Sequence, residues 1–95
     1  RYTVPPPIGM DWGIFRDQVN WNLGENGIDE SQMIGFCYLK GFEFSTWDLF
    51  YSKLVFHLAN NVVKHDLRCL FNADYNSVKK IMEACSANSN PFDLS

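Results

Sequence analysis

No stretch of this 95-residue chain approaches the roughly 20 consecutive apolar residues that span a bilayer, and no charged, apolar and small-residue succession resembles a signal peptide. A soluble chain with no membrane partner is expected. Basic charge is scarce too: eight Lys and Arg stand against eleven Asp and Glu, for a net charge of −3, and the only adjacent basic pair is Lys79-Lys80. No phosphate-tracking stripe can be drawn, so no nucleic-acid partner is expected. Cysteine is limited to Cys37, Cys69 and Cys85, an odd number without CxxC spacing, which fits neither a disulfide framework nor a zinc site. All three fall in apolar patterns and read as buried thiols in a reducing, cytoplasmic compartment.

Chemistry-bearing motifs are missing as well. There is no GxGxxG and no GxxxxGKS/T, so no phosphate cradle or cofactor is implied. His65 and Asp66 are sequence neighbours and project from different sides of a helix, while His57 lies before a predicted break. A Cys/His nucleophile, such as Cys69 with a histidine, can arise only from a tertiary encounter. No His, Cys, Asp and Glu share ligand spacing on one face. The expectation is therefore no catalytic residue, no metal, no cofactor and no enzyme.

What the chain has is apolar and aromatic surface, 46% and 16% of its residues, enough for one folded domain and too short for two. Residues 1–10, with three consecutive prolines, read as an extended lead-in, because proline lacks a donor and pushes its predecessor out of helical geometry. Residues 11–86 read as a helical domain and 87–95, rich in Ser and Asn with one Pro, as a polar tail or linker. Within that tail, Asn90-Pro-Phe92 matches a short peptide motif recognised by EH domains, although three residues arise readily by chance.

Five helices are marked by caps and periodicity. The first begins at Asp11, carries Trp12, Phe15, Val19 and Leu23 on one face, and is expected to end with Gly24 as a left-handed residue. Asp29, Gln32 and an Ile28–Met33 staple predict a second over 30–40, ended by Gly41; alternation in Met33 to Phe44 would also suit a strand, but a lone strand has no partner. Ser45 predicts a third helix over 46–59, with Trp47, Phe50, Tyr51, Leu54 and Leu58 inward. Asn60-Asn61 should break it and cap a fourth through Val63, Leu67, Leu70 and Phe71, and a fifth carries Val78, Ile81, Met82 and Cys85. Short connections then predict an all-α, compact antiparallel bundle of five to six helices.

Ile14 and Trp21 fall opposite the first helix's buried stripe, and Leu49 and Phe56 opposite the third's. This surplus, with Phe36, predicts at least one exposed apolar patch facing a protein partner. Charge is divided unevenly, −4 over residues 1–50 and +1 over 51–95, so Asp17 and Glu25 are candidates to meet the basic half of another copy.

The order of Phe15-Arg-Asp17, Ile34-Gly-Phe-Cys-Tyr-Leu39, Asp48-Leu-Phe50 and Asp66-Leu-Arg-Cys-Leu-Phe71 resembles the death effector domain, a branch of the death-fold superfamily, in its insect FADD- or Dredd-like form. The resemblance covers about residues 11–85. It implies a death-fold bundle that associates with itself or with another death-fold domain as an adaptor in apoptosis or innate immune signalling, with Phe36 and Cys37 matching an exposed second-helix pair. Two features depart from that family: Gly41 to Phe44 is short for the small third helix, and an Arg-x-Asp-Leu signature is absent. The other readings are an unrelated helical dimerisation or peptide-binding module, viral or invertebrate, and a small enzyme or regulatory subunit whose chemistry forms only in tertiary space.

Overall fold

A computed structural model describes residues 2–35 and 38–94. Among them the chain is helical and free of strands, but α-helices number three rather than five to six: α1 (Trp12–Glu25), a long helix that starts as α2 (Trp47–Phe50), and α3 (Val78–Ser86). The body measures 30 × 29 × 20 Å.

Helix α1 begins where expected, the Asp11 carboxylate accepting the Ile14 N–H at 3.2 Å. Trp12, Phe15, Val19 and Leu23 are all buried. Its end lies further on than Gly24. The Ile28 N–H reaches the Leu23 carbonyl at 3.0 Å and the Gly27 N–H that of Gly24 at 3.1 Å, so the left-handed residue of this Schellman closure is Gly27, at φ +76°.

The second expected helix does not form. Asp29 does cap, but it accepts from Ser31 at 2.8 Å and supports a single 3₁₀ turn, Glu30–Gln32, after which Met33 is extended. Asn20 on α1 explains the departure: its side chain accepts the Ile34 N–H at 2.9 Å and donates to the Ile34 carbonyl at 3.0 Å. Both backbone groups that a helix would need are taken, and Gly35 adds a poor helix former. Gly41, expected as a helix stop, instead opens a second 3₁₀ turn, Gly41–Phe44, with the Tyr2 hydroxyl so close that a Cβ on Gly41 would sit 2.8 Å from it.

The long helix is capped by Thr46, one residue later than Ser45. Thr46 Oγ1 accepts the Leu49 N–H at 3.3 Å, whereas the Ser45 N–H is already donated to the Phe42 carbonyl in the preceding turn. After Phe50 the bonding widens to π type through Tyr51–Val55 and again through Leu58–Val62, so Asn60-Asn61 do not break it. The sequence contains the reason. Buried residues recur every fourth position, Phe50, Leu54, Leu58 and Val62 with Val55, Ala59 and Val63 beside them. On a regular helix that repeat would drift by about 40° per step, and wider turns hold it against the core.

The fourth expected helix is reduced to the 3₁₀ turn Leu67–Cys69, because Leu70 and Phe71 leave it to meet the C-terminal segment. Helix α3 follows, capped by Ser77, which accepts the Lys80 N–H at 3.2 Å, with Ile81, Ala84 and Cys85 buried. It is fastened to the long helix by Trp47 Nε1, which donates to the Cys85 carbonyl at 2.8 Å.

Both the lead-in and the C-terminal segment pack against the helices. In the lead-in, Thr3 bridges Asp11, the Val4 N–H donates to the Met10 carbonyl at 2.8 Å, and Val4 is fully buried. At the other end, residues 87–95 were expected as a polar tail, yet Pro91 is fully buried. The Asn72 N–H donates to the Pro91 carbonyl at 2.9 Å and the Asp93 N–H to that of Leu70 at 2.8 Å, while Phe92 stacks on Phe71 at 4.8 Å and meets the edge of Phe15 at 5.2 Å. An Asn-Pro-Phe motif held this way is not offered to a peptide-binding domain.

Two stability measurements check this architecture. Phe92, partly buried against Phe71 and Phe15, should on truncation to Ala lower unfolding free energy by about 1–3 kcal/mol, whereas a midpoint near wild type would return residues 87–95 to the status of a dispensable tail. Thr46→Ala should cost about 0.5–2 kcal/mol and Ser45→Ala close to nothing; the reverse order in urea denaturation would move the helix start.

Candidate protein-interaction surface

Because α1 turns Trp12, Phe15, Val19 and Leu23 inward, the opposite side carries Ile14, Asp17, Trp21 and Glu25. Ile14 is 52% exposed and Trp21 62%. With Asp17 and Gln18 between them they outline a shallow depression of about 430 Å³ whose floor is mainly apolar. Asp17 is held from one side: its carboxylate accepts the Arg16 guanidinium at 3.0 Å, and Arg16 is itself mostly buried. Glu25 is exposed at the last turn of the helix.

The outer side of the long helix exposes Leu49 and Phe56, at 41% and 43%. The structure therefore places Ile14, Trp21, Leu49 and Phe56 in solvent, on two helices rather than in one patch. Phe36 and Cys37 lie outside the described residues. Two exposed aromatics escaped the sequence reading: Phe42, and Tyr2, whose ring nonetheless stacks on Phe44 at 4.8 Å. The alternation Phe42, Phe44 was the available signal, since a short turn that buries one of the pair exposes the other.

A polar cluster missed from sequence joins the Gly41–Phe44 turn to the long helix. Glu43 Oε1 accepts the Lys40 N–H at 2.7 Å and Lys53 Nζ at 3.2 Å, and Lys53 lies 5.5 Å from the centre of the Tyr38 ring. The backbone donor, then Lys53, holds the Glu43 carboxyl below its ordinary value. Tyr38 also lies beside His57, 5.6 Å between ring centres, and His57 Nδ1 is 3.3 Å from the Asn61 amide. These contacts tie three segments together.

Cys69 and Cys85 are both buried. Burial pushes the Cys85 thiol up to about 12, and burial followed by nearby Asp66 raises Cys69, so neither is primed as a thiolate. Among the described residues no three His, Cys, Asp or Glu come together to hold a metal ion. Among the described residues no helix is long and apolar enough to cross a membrane.

The Glu43 cluster makes a pH prediction. A carboxyl depressed in the folded state contributes stability above its ordinary value of 4.5 and loses it as pH falls through the lower folded value. Glu43→Gln should therefore be less stable than wild type near neutrality, with the difference in urea midpoint shrinking as pH falls below 4.5. A difference independent of pH would assign the effect to packing.

No family model, curated protein or solved structure matches this chain, so the reading of its exposed surface rests on geometry and charge.

Proposed function

We propose that this chain is a non-enzymatic protein–protein interaction domain, an adaptor or assembly module that associates with copies of itself through the outer face of α1. The observation that carries the reading is the pair Ile14 and Trp21, solvent-exposed about two turns apart on one side of a helix whose other face is locked into the core. Exposed tryptophan in an apolar depression is the kind of side chain from which binding energy is disproportionately drawn. The order of motifs that resembles a death effector domain supports homotypic association in apoptosis or innate immune signalling. Three α-helices among the described residues, and an extended segment where that family's second helix would lie, favour a second reading: a helical dimerisation or peptide-binding module unrelated to it. A discrete dimer, against open-ended oligomers, distinguishes the two.

Light scattering and thermal unfolding on Trp21→Ala test the proposal together. Self-association should weaken about tenfold or more, as for a hot-spot aromatic, while the unfolding midpoint stays close to wild type because the lost contacts lie between molecules. A lowered midpoint with association unchanged would make Trp21 a packing residue and remove the reading.

A further inference from the structure

Three of the chain's ten Lys, Arg and His residues, Lys64, His65 and Arg68, fall within five positions of a protein whose net charge is −3. The fold gathers them on one cleft. Beyond Val62, where the long helix ends, the Asp66 N–H donates to the Val63 carbonyl at 2.9 Å and closes one turn, and the Tyr75 N–H donates to the Asn72 carbonyl at 2.9 Å and closes another. Buried Val63, Leu70 and Phe71 hold both turns on the core. A concavity of about 280 Å³ lies between them, lined by Lys64, His65, Asp66 and Arg68 from the first stretch and by Ala73 and Asn76 from the second. We propose that this cleft binds the phosphoryl group of a small phosphate monoester, at a site independent of self-association through α1.

The first support is that the donors around the cleft are unspent. Elsewhere Arg16 is paired with Asp17 and Lys53 with Glu43. Here, among the described residues, no carboxylate pairs with Lys64, and the side chains of His65 and Asn76 have no hydrogen-bond partner. Arg68 does meet Asp66, but through Nε alone, 3.3 Å from Oδ1, the same oxygen that accepts the Arg68 N–H at 3.2 Å. That contact offsets part of the Asp66 charge, orients the guanidinium plane, and leaves the Nη1 and Nη2 edge for a second pair of acceptors.

The kind of donor is the second support, and it selects the ligand. A carboxylate presents two oxygens in one plane and is satisfied by the guanidinium edge alone. A phosphate monoester presents three acceptor oxygens and nearly two negative charges, so it can engage Arg68, the Lys64 ammonium and an N–H of His65 or Asn76 together. One concavity of this size takes one such group. It offers no stripe along which a polymer of phosphates could run.

Amide chemical shifts of isotopically labelled protein, followed at fixed ionic strength as glycerol phosphate, inorganic phosphate or acetate is added, test the site. Glycerol phosphate should give saturable shifts confined to residues 63–76, inorganic phosphate weaker ones, and acetate little. Inorganic phosphate bound as tightly as the ester overturns the assignment to a monoester. Arg68 and Lys64 are exposed, so Arg68→Lys and Lys64→Gln should keep the dispersed spectrum of the folded chain. Each should weaken glycerol phosphate binding about tenfold, the first because it keeps the charge and loses the planar fork, the second because it loses a charged donor. Lys79→Gln should leave binding unchanged. Shifts that fail to saturate, that appear equally around Lys79-Lys80, or that survive Arg68→Lys at wild-type affinity would reduce the effect to general screening of surface charge, and the site would fall while the interaction-domain reading stands.

Discussion

The structure depends on the edge-to-face contact between Phe15 of α1 and Phe50 of the long helix, 5.8 Å between ring centres, both rings essentially removed from solvent. Other aromatic contacts extend from it. Trp12 and Phe44 continue to Tyr2 on one side, and Phe92 and Phe71 continue to the C-terminal segment on the other. Each offset or T-shaped pair adds about 0.5–1.5 kcal/mol beyond the area it buries. In a body this small, where surface is large relative to volume, that density of large rings offsets the shortage of long elements.

Short elements leave many backbone groups without helical partners, and side chains take them up. Asn20 serves both groups of Ile34, and Glu43 serves the Lys40 N–H. Among the described residues no buried side-chain nitrogen or oxygen lacks a partner. Removing one member of such a pair strands the other away from water, so these few polar residues define the path of the irregular segments as firmly as the rings define the core.

Local signals were legible in the sequence where an apolar stripe ran over several turns. Asp11 with Trp12, Phe15, Val19 and Leu23 marked α1 together with its cap, whereas Val78, Ile81, Met82 and Cys85 marked α3 but not its cap, which is Ser77 rather than Asp74 or Asn76. A cap alone was not enough: Asp29 and Asp66 both accept the backbone bonds of a helix start, yet each leads into one 3₁₀ turn. In both cases a distant partner claims the residues that follow, Asn20 at Ile34 and the 91–93 segment at Leu70 and Asn72. Such competition depends on residues far apart in sequence. The exposed sides of Ile14, Trp21, Leu49 and Phe56 followed from helical phase and needed no such knowledge.

The same anchoring bears on what those exposed residues can do. A side chain on a mobile loop must be ordered when a partner arrives, at a cost of about 0.5–1.5 kcal/mol for a flexible group. Trp21 and Phe56 instead stand on the two helices whose inner faces hold the aromatic core, so their backbones are already in place before contact. Rigidity inside and apolar surface outside are thus two sides of the same pair of helices. A partner binding either face meets a surface positioned by Phe15 and Phe50, and the binding energy of its aromatic anchor is retained rather than lost to ordering the backbone that bears it.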